Sequence, residues 1–256
     1  MVFEKYAKYY DLLYLDKDYN AESNYISSLI KKYHPETKKI LEFGSGSGIH
    51  GRLLGDLGYQ VYGIERSQQM IDLGNQKAEL SEVTSNFSCV LGDCTETFIG
   101  DDFDAVISLF HVLSYQTFNE SILAMLNNAY KQLKPGGIFI FDYWYAPAVW
   151  NYRPTLRVKK VENSELKITR IAEPECWENK NRVDVNYLTY IEVLSIGQIS
   201  KIEETHEMRA FDLNEITQFS NSCGFEVLQS EAWITKDSPS PKTWGVCSTL
   251  KKRMCS

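Results

Sequence analysis

The sequence predicts an α/β protein with a doubly wound, mostly parallel sheet and an inserted antiparallel β cap. Three observations predict it. Between residues 40 and 141 short apolar runs alternate with helical windows, the order that lays parallel strands between two helical layers. From about residue 155 to 209 that texture gives way to β-branched runs without a helical window. A glycine-rich stretch, Gly44-Ser45-Gly46-Ser47-Gly48, joins the first strand to the following helix, at the strand edge where such sheets bind ligands.

The elements follow in order. Phe3, Tyr6, Ala7, Tyr10, Leu13 and Tyr14 fall at three- and four-residue spacing, as do Tyr25, Ile26, Leu29, Ile30 and Tyr33. Each set makes one apolar helix face. His34-Pro35 stops the second helix, because a residue before proline avoids helical geometry. Apolar runs at 40–43, 61–64, 87–91, 105–109 and 138–141 are strands, with helical windows at 49–57, 68–79 and 117–133. Lys134-Pro135-Gly136-Gly137 is the turn into the fifth strand. Four antiparallel strands are expected at 156–161, 166–171, 183–193 and 199–208, the last pair turning at Ser195-Ile196-Gly197-Gln198. A helix at about 212–222 precedes strands at 225–229 and 244–250. Residues 1–145 and 210–256 thus form one α/β domain, and 146–209 an insertion over one edge.

Composition narrows the function. Hydrophobic residues at 43% and charged residues at 24% are ordinary for a soluble globular protein. A formal net charge of -7 argues against a general nucleic-acid binder, which needs a basic footprint. No run approaches the roughly 18 apolar residues of a membrane helix, and the charged start lacks the apolar centre of a signal peptide. A cytoplasmic location is expected. The cysteines, at 89, 94, 176, 223, 247 and 255, form no CxxC pair, and His34, His50, His111 and His206 never fall at metal-ligand spacing. Neither a zinc site nor a dithiol motif is indicated, and no metal is expected.

The glycine stretch carries the chemistry. Glycines there let the backbone turn sharply and approach a ligand that a Cβ would push away. Gly46-Ser47-Gly48-Ile49-His50-Gly51 also fits the dinucleotide pattern, so the loop alone says only that a nucleotide-like ligand binds at the first strand's end. Glu65 ends the second strand, 21 residues after Gly44. A carboxylate there can accept from both ribose hydroxyls of an adenosine. Asp93 follows the third strand and can accept from the adenine amine, or simply close a turn. Met70 sits near the start of the helix after the second strand and either lies flat on the adenine face or packs in the core.

Together Glu42-Phe43-Gly44-Ser45-Gly46-Ser47-Gly48, Glu65, Asp93, Phe103-Asp104-Ala105-Val106 and Leu133-Lys134-Pro135-Gly136-Gly137 resemble the ordered motifs of class I S-adenosylmethionine-dependent methyltransferases. The resemblance implies a seven-stranded Rossmann-like sheet whose last strand is antiparallel. It implies S-adenosylmethionine as cofactor and S-adenosylhomocysteine as product. Cofactor contacts would come from Tyr14, Gly44, Gly46, Gly48, Glu65, Met70, Asp93, Cys94 and Leu109. The opening Tyr9-Tyr10-Asp11-Leu12-Leu13-Tyr14, the spacing to Asp18-Tyr19 and the late insertion are similar to sugar N,N-dimethyltransferases acting on nucleotide-linked amino sugars. They are similar also to glycine/sarcosine-type enzymes and to relatives associated with surface-polysaccharide synthesis. An N-terminal lid closing Tyr14 over the cofactor follows from that similarity, with cap strands lining an acceptor pocket. The chain departs from the aminosugar enzymes at Tyr115, where they carry a histidine after the fourth strand.

An oxygen acceptor gains from a positioned base, whereas an amine need only arrive unprotonated. Candidates are His111, Tyr115 and His206, with Tyr143 beside them. Arg153, Arg157, Lys159, Lys160, Arg170 and Arg209 give the cap local basic character. Acidic residues in the same segment make most of them solvated surface charge, while strand alternation turns some inward, where an arginine would suit an anionic group. The expected partner is a small acceptor, phosphorylated or nucleotide-linked, taken by a monomer or a homodimer without nucleic acid. Two other readings compete. An NAD-dependent oxidoreductase would use the same glycine loop, although nothing after the fifth strand looks like a second mononucleotide half. A non-catalytic S-adenosylmethionine-binding module would lack an acceptor pocket.

Overall fold

The computed structural model describes residues 7–80 and 86–254, without the side chains of 7, 8, 11 and 80. Phe3 and Tyr6 of the first predicted helix face lie outside the described residues. From Ala7 the chain forms α1 (Ala7–Leu13) and α2 (Tyr19–Tyr33). Asp18 caps α2, its side chain accepting the Ala21 N–H at 2.8 Å. Ile26 and Ile30 of α2 are wholly buried, each contributing roughly 1.5–3 kcal/mol by leaving water.

The alternating region then gives β1 (Lys39–Phe43), α3 (Ile49–Asp56), β2 (Gln60–Glu65), α4 (Gln68–Leu80), β3 (Phe87–Leu91), β4 (Phe103–Ser108) and α5 (Asn119–Gln132). Next come β5 (Leu133–Tyr145), the short α6 (Ala146–Asn151), and the cap strands β6 (Arg157–Glu162), β7 (Leu166–Trp177), β8 (Arg182–Val193) and β9 (Gln198–Phe211). Then α7 (Leu213–Ser222) leads into β10 (Phe225–Ala232) and β11 (Gly245–Lys252).

Strands β3-β2-β1-β4-β5 pair in parallel, and β11 lies antiparallel between β5 and β10. This is the predicted seven-stranded, mostly parallel sheet. Period-two alternation explains why it is buried on both faces. Leu41, Phe43, Val106, Phe139 and Phe141 pack on one side with Ile122, Met125 and Leu126 of α5 and Ile216 of α7. Ile40, Val61, Ala105, Ile107, Ile138 and Ile140 pack on the other with Tyr25, Ile26, Leu29 and Ile30 of α2. No helix among the described residues is long and apolar enough to cross a membrane.

Three features differ from expectation. Leu133 already pairs with Phe103 before the left-handed Gly136, so the expected turn is a bulge within β5 rather than its prelude. The same strand runs on through Asp142 to Tyr145 and is followed by α6, which the sequence pattern did not reveal. And β9 ends parallel to the tip of β5, through Trp144–Ala210 and Tyr145–Phe211. The antiparallel cap strands therefore continue the main sheet.

Candidate active site

At the end of β1 the backbone turns left-handed at Gly44 and Gly46, with φ of 69° and 56°. A side chain at Gly44 would be strained there, and its Cβ would come within 2.6 Å of Val112 Cγ2. The loop is fastened to β2 by Glu65. The Gly46 N–H donates to Oε2 at 2.8 Å and the Ser67 N–H to Oε1 at 2.9 Å. Burial pushes the Glu65 carboxyl up, against the pull of those two N–H groups. Directly beneath, Glu42 is fully enclosed; desolvation and the neighbouring Glu65 push its carboxyl up to about 8.

Beside this loop opens a cavity of about 370 Å³, within the range of small-ligand sites. Of the residues singled out from the sequence, Tyr14, Gly44, Gly46, Glu65, Met70, Asp93, Cys94, Leu109, His111, Tyr115 and His206 all line it. Gly48 does not: its left-handed backbone caps α3, and a Cβ there would meet Phe87 at 2.4 Å. Its need for glycine is packing. Tyr143 is buried in the sheet, its hydroxyl 3.2 Å from Ser248 Oγ. Asp93 closes a turn, Oδ1 accepting the Thr95 N–H and hydroxyl at 2.8 and 2.7 Å, and also lines the cavity.

The opposite wall comes from the cap. Register pairs Val185 with His206 and Val183 with Met208, and alternation turns Val185, Tyr187, His206 and Met208 towards the cavity. His206 Nδ1 lies 2.7 Å from the Tyr115 hydroxyl, and Tyr187 packs edge-on at 4.8 Å. Burial raises the Tyr115 phenol well above its ordinary value. Of the cap cations, Arg170 donates to the Tyr14 hydroxyl at 3.1 Å and stacks over Tyr187, and Lys159 is its cross-strand partner. Arg209 instead braces α7 through Glu215, and Arg153 pairs with Glu178 at the surface.

Sequence reasoning singled out His111 but missed its neighbours Phe110, Asp142, Trp144 and Trp244. Phe110 and His111 both adopt left-handed backbone, at φ of 67° and 63°. Two such non-glycine residues in succession cost on the order of 1–3 kcal/mol each. Buried Asp142 offsets part of that cost by accepting the His111 N–H at 3.1 and 3.2 Å. Burial would raise Asp142, but the His111 imidazole and N–H outweigh it and hold the carboxyl below its ordinary range. Trp144 and Trp244 meet edge to face beside His111. Beyond Tyr14, Phe110 and His111 lies a second hollow lined also by Lys17, Glu22 and Asp142. The sequence signal for this corner is His111 itself, a candidate base, whereas Asp142 ends the apolar run of β5 and reads as a strand terminus.

Comparison with known proteins bears on what this geometry serves. Residues 40–137 match the family described as "Methyltransferase domain". A Geobacillus sp. (strain WCH70) protein named as a methyltransferase is 24% identical over 254 residues, covering 98% of this chain and 100% of its own. The dTDP-3-amino-3,6-dideoxy-alpha-D-glucopyranose N,N-dimethyltransferase of Streptomyces fradiae is 24% identical over 226 residues, 86% of this chain and 84% of its own. The crystal structure of an S-adenosylmethionine-dependent methyltransferase from Clostridium acetobutylicum superposes with a TM-score of 0.78 at 17% identity, covering 96% of each chain. That likeness is one of fold. The domain match falls on the strands that carry the glycine loop, Glu65 and Asp93, and it overturns the oxidoreductase alternative. Motif order, sheet order and domain match converge: residues 40–137 are a methyltransferase domain of the class I S-adenosylmethionine-dependent kind.

Proposed function

We propose that this enzyme methylates a nitrogen or oxygen of a small anionic acceptor of the nucleotide-linked sugar class, a precursor of surface polysaccharide. One observation carries the reading: a single cavity has the glycine loop, Glu65 and Asp93 on one side and the cap residues Tyr187, His206 and Met208 on the other. A cofactor wall and a second, aromatic wall around one space suit a two-substrate transfer.

The residues present fit the cofactor. A buried carboxylate at Glu65 faces the glycine loop, pairing a hydrogen-bond acceptor with the close backbone approach that an adenosine needs. S-Adenosylmethionine supplies the activated methyl group. In this reading Glu65 accepts the ribose hydroxyls, Asp93 the adenine amine, and Met70 packs on the ring. Tyr14 closes over the ligand. Trp144, Trp244 and Tyr187 exclude water and fix the acceptor's approach; such alignment is worth on the order of 7–11 kcal/mol. His111 takes the acceptor proton where a base is needed, contributing about 10²–10⁴-fold. Tyr115 and His206 orient the acceptor as a hydrogen-bonded pair. Residues 146–209 form the acceptor-binding insertion on a domain of residues 1–145 and 210–256.

Lys159 and Arg170 beside Tyr14 support an anionic group on the acceptor. The dTDP-sugar relative supports the sugar. The similarity of the opening tyrosines and cap supports the polysaccharide role, and a cytoplasmic location belongs to the same proposal. Calorimetry with S-adenosylhomocysteine and NADH, then incubation with labelled S-adenosylmethionine and a panel of dTDP-linked amino sugars, sugar phosphates and free amines, tests it. Label transfer to a nucleotide-linked sugar is the expected result. Transfer only to uncharged amines would overturn the acceptor class.

A further inference from the structure

We propose that Asp142 is a positioning residue: it keeps the His111 ring proton on Nδ1 and so presents Nε2 to the acceptor. The inference deepens the methyl-transfer reading and rests on it.

The geometry is unusual in three respects. Asp142 stands near the end of β5 and is only 1% exposed, yet its carboxylate lies below its ordinary range, held there first by His111 and further by the Lys17 charge. It engages His111 twice. The His111 backbone N–H donates to Oδ1 and Oδ2 at 3.1 and 3.2 Å, and the ring Nδ1 lies 2.7 Å from Oδ2. The carboxylate sits off the axis of a ring N–H, so the side-chain contact has ion-pair rather than straight hydrogen-bond geometry. Even so, a bare lone pair on Nδ1 would face a carboxylate oxygen at that distance and be repelled. The proton belongs on Nδ1. Third, Phe110 and His111 are both held left-handed, so the ring's direction is set by backbone that Asp142 itself secures.

The other imidazole in the cavity is less suited. His206 has Nδ1 on Tyr115 at 2.7 Å, and its Nε2 lies 3.7 Å from Glu204. His111 Nε2 makes no hydrogen bond among the described residues, and its ring lines the main cavity beside Trp144. The remaining charged groups around the hollow behind it are Asp16, Lys17, Glu22 and Lys159. Lys17 and Glu22 are 3.0 Å apart and engage each other. In the transfer, an acceptor lone pair forms the new bond to the methyl carbon while the sulfur keeps the C–S pair. The acceptor proton passes to Nε2, and the resulting imidazolium rests against the Asp142 carboxylate. Asp142 thus serves the site by aiming and neutralising His111, without touching the acceptor.

The test needs no acceptor. Protein labelled with ¹⁵N-histidine carries four histidines, and His111→Gln assigns the His111 signals in a long-range ¹H–¹⁵N spectrum. At a pH where the ring is neutral, the wild type is expected to show protonated Nδ1 and bare Nε2. Asp142→Asn, whose amide can donate to Nδ1, should invert the pattern, and Asp142→Ala should leave a mixture. A wild-type spectrum with protonated Nε2 overturns the proposal, even if neither variant folds. So does a pattern unchanged in both variants. Calorimetric titration of wild type with S-adenosylhomocysteine separates the two levels: absent binding sinks the methyl-transfer reading, whereas the tautomer judges Asp142 alone.

Discussion

The two walls of the cavity are built by different physics. The wall at the ends of β1, β2 and β3 is mostly backbone and short carboxylates: a left-handed loop, Glu65 tied to that loop, and Asp93 closing a turn. The cap wall is made of side chains, Val185, Tyr187, His206 and Met208, presented by strand alternation. Backbone cradles tolerate few residue types, because a Cβ or a missing carboxylate breaks them. A strand face accepts many. The difference teaches that the loop wall is specified by backbone geometry and the cap wall by whichever side chains the strand face carries.

Breaking the backbone wall should have the largest effect. Gly44→Val puts a β-branched residue at φ of 69° against Val112. It is expected to cost about 3 kcal/mol in urea-monitored stability and to abolish the calorimetric signal with S-adenosylhomocysteine. If valine is accepted and binding survives, the loop is not the cradle. Next, Glu65→Ala should weaken S-adenosylhomocysteine by roughly 1–3 kcal/mol, since buried hydroxyls lose their acceptor. Unchanged affinity would remove Glu65 from the ribose.

Glu42 offers a pH probe of the same wall. The folded chain holds its proton up to about 8, whereas the ordinary value is 4.5. The folded state therefore binds more protons across that window. This group's contribution is intact below about 4.5 and is lost as pH rises through about 8. Glu42→Gln should flatten that decline and stabilise the protein at pH 8 by roughly 2 kcal/mol, read from urea midpoints at several pH values. A slope identical to wild type would mean that Glu42 is ionised in the fold.

The smallest effect sharpens the contrast. His206→Gln lies on the cap wall, so S-adenosylhomocysteine affinity should change by less than about 0.5 kcal/mol while acceptor turnover falls. A large loss of cofactor affinity would erase the distinction between the walls.

The same contrast governs what could be read from sequence. The parallel strands were legible because Ile40, Leu41 and Phe43, like Val106 and Ile107, are apolar on both faces. The places of Glu65 and Asp93 at strand ends were legible because each follows an apolar run, Glu65 at 21 residues from Gly44. The end of β5 was not, since Asp142 interrupts its apolar run and reads as a strand terminus. That one residue hid the Asp142–His111 pair and the placement of Trp144. Gly48 matched the pattern but owes its identity to Phe87 rather than to the cavity. The parallel joining of β9 to β5 rests on two residue pairs distant in sequence, which no local periodicity encodes. Nor could alternation alone say that Arg170 would reach Tyr14 while Arg209 would brace α7.

A crystal structure with S-adenosylhomocysteine tests the account most directly. Adenosine should lie between the glycine loop and Glu65, with sulfur directed towards His111 and the Tyr115–His206 pair and open space left before the cap. Density for the ligand elsewhere, or a Glu65 carboxylate facing solvent with the ligand bound, would contradict it.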